Sequence, residues 1–323
     1  MVRSFVFTEG KLVERDIDLS FIPMLLKDDG VHVWIDLENP TPEESARILE
    51  KIFQFHPLAI EDCLIPSPLP KIEEYEGYLF VVIHAVGFNR KAEHFQTTEL
   101  DFFLGKNYLV TWHSEPLHCI QATLDRCAKT SMTARGSDRI AHSILDTLID
   151  YYLPVLYEFG EDLNDLESSM VQTHFEKAPM NRIMELKKEV VHLCQILRPQ
   201  REVLDRFARG EFKIVRPALL PYYRDVCSHL AHYEEMAESY RDSLNSAIQL
   251  YLSVSSNRTS EIVKVLTLIT VVTTPAMIVG SWYGMNFRHM PELDSPWGYF
   301  GVLILTLVTT LWTLIYFKRK KWM

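Results

Sequence analysis

The chain has 323 residues, of which 33 are basic and 43 acidic, for a formal net charge of −10. That balance, with no basic stripe, excludes nonspecific nucleic-acid binding and favours cations as partners. Its five cysteines (Cys63, Cys119, Cys127, Cys194 and Cys227) form no Cys-x-x-Cys pair, which points to reduced thiols in a cytosolic domain and away from a zinc or disulfide framework.

Met1 to Phe7 is too short for a signal peptide and charged residues follow at once, so the opening segment is expected to stay in the cytoplasm. Residues 1–136 read as a compact α/β domain. Ser4 to Phe7 and Val31 to Ile35 have strand patterning. Thr41-Pro42-Glu43-Glu44 then places a capping hydroxyl before a first-turn proline and an acid at the third helical position, which starts a helix ending near Phe55. Tyr78 to Val86, Glu99 to Leu104 and Tyr108 to Trp112 are β-rich, and Gly105-Lys106-Asn107 carries hairpin turn chemistry. A mixed sheet flanked by helices follows.

From Ser137 the chain turns helical. Residues 137–216 form a helical segment: Ile140, Ile144, Leu145, Leu148, Ile149 and Tyr152 supply one stripe, Pro154 kinks or divides that helix, and a further helix covers Asn181 to Leu197. After Pro221 no proline appears until Pro275, and Tyr223, Val226, Leu230, Tyr233, Ala237, Tyr240, Leu244, Ala247, Tyr251 and Val254 recur at spacings of three and four. The pattern predicts one helix from Pro221 to Tyr283, about 60 residues and roughly 90 Å. Residues 217–261 are its stalk and 262–283 its membrane-spanning end.

Val265 to Tyr283 and Trp297 to Phe317 hold no ionisable group except terminal tyrosines, and each has about the length that crosses a hydrocarbon core. Trp282, Tyr283, Trp297, Tyr299 and Trp322 rim them as interfacial belts do. These are read as two transmembrane helices (262–283 and 297–317) joined by an outer loop, 284–296. Lys318, Arg319, Lys320 and Lys321 follow the second span, whereas the loop offers Arg288 against Glu292 and Asp294. Positive charge stays inside, so the tail 318–323 and the N-terminal part are both expected in the cytoplasm. A polar stripe of Thr270, Thr273, Thr274 and Ser281 marks the first span. It reads either as helix glue, with hydroxyls bonded to their own helix, or as the wall of a path shared by several copies around an axis.

Tyr283-Gly284-Met285-Asn286-Phe287, then Met290-Pro291-Glu292-Leu293, resembles the signature of the CorA family of divalent-cation channels, in which Gly-Met-Asn lies at the outer end of the first of two C-terminal membrane helices. Ser256-Asn257-Arg258, Val263-Lys264-Val265-Leu266-Thr267 and Tyr316-Phe317-Lys318-Arg319-Lys320-Lys321-Trp322 resemble the family's stalk end, pore-helix start and basic tail. Weaker likeness covers His56 to Asp62 and Arg201-Glu202-Val203-Leu204. The resemblance implies a funnel-shaped homopentamer in the cell inner membrane, with an α/β cytoplasmic domain, a long helical stalk and two transmembrane helices per chain. Its partners are identical subunits, divalent cations and membrane lipid. It implies passive inward conduction of Mg²⁺, with Co²⁺ and Ni²⁺ as lesser substrates; no cofactor is implied, Mg²⁺ being both substrate and regulator.

Mg²⁺ gives up water reluctantly, so a ring of Asn286 carbonyls would bond to its hydration shell. Gly284 would permit the tight backbone behind that ring, and Met285 would pack behind it. Helical spacing below the ring gives the pore wall as Ser281, Met277, Thr274, Thr270, Leu266 and Val263. Leu266, Val263 and Met277 would form an apolar gate, although ordinary helix packing also accounts for them. Glu292 and Asp294 would make an outer acidic ring, or else remain solvated loop charges. Lys318 to Lys321 would form a basic collar, or only fix topology. In the family, transported ions bound between neighbouring cytoplasmic domains favour closure. Asp225 is the candidate on the stalk; Asn89 stands where the family favours an acid, with Glu93 as a substitute. Asp225, His229 and His232 share a face that suits a softer metal, and equally suits plain exposed residues.

No Gly-x-x-x-x-Gly-Lys-Ser/Thr element indicates a pump, and neither span has a carboxylate or histidine for proton coupling. The chain is therefore not read as an enzyme. A zinc transporter of the same superfamily is the competitor in substrate, with Met285 fitting the magnesium branch better. A membrane-anchored sensor or scaffold is the competitor in class, but it leaves Gly284-Met285-Asn286 without a role.

Overall fold

A computed structural model describes residues 1–89, 94–129, 135–172, 180–286, 290 and 295–320. Seven strands, β1 (Val2–Thr8), β2 (Lys11–Arg15), β3 (Val31–Glu38), β4 (Lys71–Tyr75), β5 (Tyr78–Asn89), β6 (His94–Gly105) and β7 (Tyr108–His113), pair in the order β2-β1-β3-β7-β6-β5-β4. β3 and β7 run parallel and every other neighbouring pair antiparallel, which makes the sheet mixed as expected. Both edge strands, Lys-Leu-Val-Glu-Arg and Lys-Ile-Glu-Glu-Tyr, escaped the reading of apolar patterns because they are short and charged. Those charges also discourage pairing with another chain.

One sheet face carries Val33, Ile35, Leu37, Phe80, Val82, Phe103 and Val110. A one-turn α1 (Ile22–Leu25), α2 (Pro42–Ser45) with its continuation, and α3 (Pro57–Leu64) cover it through Ile22, Ile48, Leu49, Ala59, Ile60 and Cys63. Thr41 does close a capping box, its Oγ1 accepting from Glu44 N at 3.2 Å while Glu44 Oε2 accepts from Thr41 N at 2.9 Å. The helix then widens to π-helical turns over Ala46–Ile52 and stops before the expected Phe55. Phe53 N reaches back five residues to Ile48 O, and Gln54 takes a positive φ of 52° that ends the helix.

Alternation puts Trp34 and Asp36 on the opposite sheet face. α4 (His118–Lys129) and α5 (Ser137–Asp150) lie on that side, α5 touching β3, β5, β6 and β7. The expected division near Pro154 occurs at Tyr151, where α5 gives way to α6 (Tyr152–Gln172); Pro154 sits in the first turn of α6, where no helical amide is needed. α7 (Met180–Ala208) is longer than expected and passes through Pro199. Packing outweighs the lost hydrogen bond there, since Leu193, Ile196, Leu197, Gln200, Val203, Leu204 and Phe207 keep one buried face on both sides of the proline.

α8 runs unbroken over Leu220–Tyr283. Its stripe is buried at Tyr223, Val226, Leu230, Tyr233, Ala237, Leu244 and Ala247, so the chain's own helices satisfy this stretch. Phe207 of α7 stacks on Tyr223 at 5.0 Å, and Tyr223 Oη donates to Asp138 O at 3.2 Å. Arg216, ahead of α8, grips buried Asp138 through Nε at 2.7 Å and Nη2 at 2.5 Å. Beyond Ala247 the stripe is only half-buried at Tyr251 and Val254. The chain divides into two compact units, Met1–Ala247 and Ile248–Met323. In the second unit, α8 and α9 (Gly298–Arg319) are long and apolar enough to cross a membrane, and neither buries its apolar window.

Candidate functional site: the C-terminal end of α8 and the acidic face at Asp225

α8 closes through two bonds, Gly284 N to Gly280 O at 3.0 Å and Met285 N to Trp282 O at 3.4 Å. A Cβ on Gly284 would stand 3.0 Å from Gly280 O, a contact so tight that glycine suits the turn. Asn286 follows with its side chain exposed. Met285 is 49% exposed, and among the described residues the chain's own α9 does not cover that side chain.

Below this turn, Val263, Leu266, Thr270, Met277 and Ser281 are all exposed along α8. Thr274 is half-buried and, with Val271, Pro275, Ile278, Leu305 and Thr309, lines a groove of about 440 Å³ between α8 and α9. The hydroxyls are not idle. Thr270 Oγ1 donates to Leu266 O at 2.9 Å, and Thr274 Oγ1 to Thr270 O at 2.7 Å. A hydroxyl that gives its proton to its own helix retains lone pairs, and so it can accept from the hydrogens of a hydration shell. Helix glue and ion path are therefore compatible uses of the same threonine.

Lys318 and Arg319 occupy the last turn of α9 and Lys320 its cap, all exposed. Lys321, Glu292, Asp294 and Glu93 lie outside the described residues, as does Trp322. Asn89 ends β5, with its side chain likewise outside them.

Asp225 is exposed on α8. Its charge is felt on α5: burial raises the Asp150 carboxyl, and the negative charges of Asp146 and Asp225 raise it further against the pull of His229. His142 is lowered by burial and by Arg139, while Asp146 and Asp225 oppose the shift. Asp146 also pairs with Arg126 at 3.4 Å. The acids that share a field with Asp225 are thus Asp146 and Asp150, which sequence reasoning missed. They sit about 75 to 80 residues earlier, and only the packing of α5 against α8 unites them.

Among the described residues, Asp36, Glu38 and His113 are the trio whose ligand atoms lie within 4.8 Å of one another. Arg3 already occupies it, with Nη2 at 2.6 Å from Asp36 and 3.2 Å from Glu38. Burial pushes Asp36 up, but hydrogen bonds from His113, Thr111 and Arg3 outweigh it and hold the carboxyl below its usual range. This cluster is a buried ion-pair network rather than an open metal site.

The family described as CorA-like Mg²⁺ transporter protein matches residues 29–319. The chain belongs to that family. CorA-like proteins are transporters, not enzymes, and membership places α8 and α9 in a membrane. A Bacillus subtilis relative, YfjQ, is 33% identical over 290 residues, covering 90% of this chain and 89% of its own. The cobalt/magnesium transport protein CorA of Thermotoga maritima is 29% identical over 319 residues, covering 98% and 89%. The solved CorA magnesium transporter of Methanocaldococcus jannaschii superposes with a TM-score of 0.81 at 23% identity, over 99% of this chain and 98% of that one. At that identity the superposition establishes the fold: an α/β part, a long helix and two candidate membrane helices.

Proposed function

We propose that this CorA-family chain is a passive Mg²⁺ uptake channel, with Co²⁺ and Ni²⁺ as lesser substrates, built as a homopentamer in the cell inner membrane with both termini in the cytoplasm. The observation that carries this reading is the exposed Asn286 at the tight Gly284 turn, directly above a run of exposed Val263, Leu266, Thr270, Met277 and Ser281 on the same helix. Several α8 helices around an axis would cover that face. Asn286 carbonyls and threonine lone pairs then accept from an ion that keeps its water, while Leu266 and Val263 narrow the inner end. Thr274 joins the wall from the edge of the stripe.

Glu292 and Asp294 concentrate cations outside, and Lys318 to Lys321 form the inner basic collar. Closure follows divalent occupancy at Asp225. Its acidic companions are Asp146 and Asp150, with Asn89 and Glu93 as the neighbouring subunit's contribution. A bound dication screens the mutual repulsion of these acids, so depletion of Mg²⁺ loosens the closed arrangement. Competitive uptake of Mg²⁺, Co²⁺ and Zn²⁺ by the purified protein in dye-loaded liposomes tests the assignment. Mg²⁺ uptake is expected, and Asn286→Ala abolishes it while leaving the oligomer's mass unchanged. Zn²⁺ uptake that Mg²⁺ does not compete against would favour the zinc-transporting branch instead.

A further inference from the structure

The two membrane helices leave a seam between them that the proposed ion path touches only at Thr274. α9 returns antiparallel to α8, and the groove of about 440 Å³ along their seam has Val271, Pro275 and Val279 on one wall and Leu305, Thr309 and Thr313 on the other. Thr309 Oγ1 donates to Leu305 O at 2.9 Å and Thr313 Oγ1 to Thr310 O at 2.8 Å. Those hydroxyl protons go to their own helix, which leaves a wall suited to hydrocarbon.

The α8 wall is a stripe, and it ends in a charge. Lys264 comes seven residues before Val271, so it lies on the same side of the helix, about 10 Å further along. It is half-buried, as Thr267, Leu268 and Val271 are, whereas Val263, Val265 and Leu266 beside it are exposed. α9 ends in the same way. Half-buried Thr309, Thr313 and Phe317 lead on to Lys320, exposed at the helix cap and seven residues beyond Thr313. Val271 and Thr313 mark the same end of the groove, and equal rise from there brings Lys264 and Lys320 to one level, with Lys318 and Arg319 in the preceding turn of α9. The side chains of these four cations enter none of the ion pairs among the described residues. The acid nearest to Lys264 in the sequence, Glu261, is exposed one turn before it and is not paired with it. A half-buried ammonium with no counter-charge in its own chain calls for an anion from outside.

We propose that Lys264 and Lys320, with Lys318 and Arg319, bind the phosphate of an anionic phospholipid whose acyl chain lies in the α8–α9 groove. Charge and shape select the occupant together. A neutral headgroup would leave the cations uncompensated, and a soluble phosphate would leave the groove empty. A second copy of the chain brings to that level the same four cations against the one acid, Glu261, and so adds repulsion rather than relieving it.

The inference requires α8 and α9 to lie in a membrane but needs neither conduction nor a gate, and its test reads retained lipid rather than flux. Full-length protein purified in detergent is titrated with dioleoyl phosphatidylglycerol or dioleoyl phosphatidylcholine, and the lipid held by the intact oligomer is counted by native mass spectrometry. Phosphatidylglycerol is expected to bind at least about tenfold more tightly than phosphatidylcholine, and to lose about fivefold in affinity in both Lys264→Gln and Lys320→Gln, as befits one lysine near an anionic lipid surface. Lys320 is exposed at a helix end, so its replacement leaves the fold intact and carries the test should Lys264→Gln fail to assemble. Glycerol 3-phosphate, the headgroup without its tails, is expected not to displace the lipid. No retained lipid, equal retention of the two lipids, wild-type affinity in either lysine variant, or displacement by equimolar glycerol 3-phosphate overturns the proposal.

Discussion

In the proposed channel Thr270 would serve both helix and ion. Its hydroxyl proton goes to Leu266 O, leaving only acceptor capacity, the polarity that a hydrated cation's outward hydrogens require. Thr270→Val should therefore lower Mg²⁺ flux roughly fivefold or more, on about 1 kcal/mol per lost hydrogen bond, while Thr270→Ser keeps most of it; equal flux in both variants would remove the hydroxyl from the path. Asp101 carries a different prediction. It is fully buried on the same strand face as Glu99, beside the Cys63 thiol and the Glu99 carboxyl. Burial and the neighbouring Glu99 raise it well above the usual range, so the folded protein holds a proton there that the unfolded chain releases near pH 4. Between those two values the native state binds more protons than the unfolded state, so stability falls as pH rises. Asp101→Asn should flatten that fall in thermal melts taken across a pH series; an unchanged slope would place the dependence elsewhere. The sequence shows that Glu99 and Asp101 alternate with apolar residues, but not that α3 covers their face. By contrast Gly284-Met285-Asn286 is legible because its turn is made by local bonds alone.

α8 was readable as one element because its three-and-four spacing continues without a breaker from Tyr223 to the membrane end. α7 was not, since Pro199 is a local stop signal that only tertiary packing overrides. That packing centres on a clamp between β5, α6 and α7. Gln200 Oε1 accepts from His84 N at 2.9 Å, and Tyr152 Oη donates to His84 O at 2.6 Å while accepting from Gln200 Nε2 at 2.9 Å. All three residues are buried, and no periodicity in the chain predicts that they meet. Tyr152→Phe removes a buried hydroxyl with two partners, and it should cost about 1–3 kcal/mol in denaturant unfolding of the first unit; a neutral result would mean that the clamp does not stabilise the fold. The edge strands β2 and β4 were missed for the opposite reason. Their charges hide a strand pattern that exists to end the sheet.

Across the whole chain, two features divide the work. The first unit buries its stripe from Tyr223 to Ala247 in its own helices, and the second leaves the apolar windows of α8 and α9 uncovered. The apolar runs and the basic tail made the membrane part legible. The acidic grouping of Asp225 with Asp146 and Asp150 depends on α5 meeting α8, so it emerged only with the fold. Burial pushes Cys119 and Cys127 up to about 12, which keeps these thiols protonated and poorly nucleophilic. A net charge of −10 and the absence of an ionisable group in the Val265–Tyr283 span other than its terminal tyrosine both suit cations that move down their electrochemical gradient. Mg²⁺ entry into dye-loaded proteoliposomes under an imposed potential tests this most directly. The account predicts uptake that grows with inside-negative voltage, needs neither nucleotide nor a proton gradient, and disappears in Asn286→Ala; uptake indifferent to voltage, or equal in that variant, would contradict it.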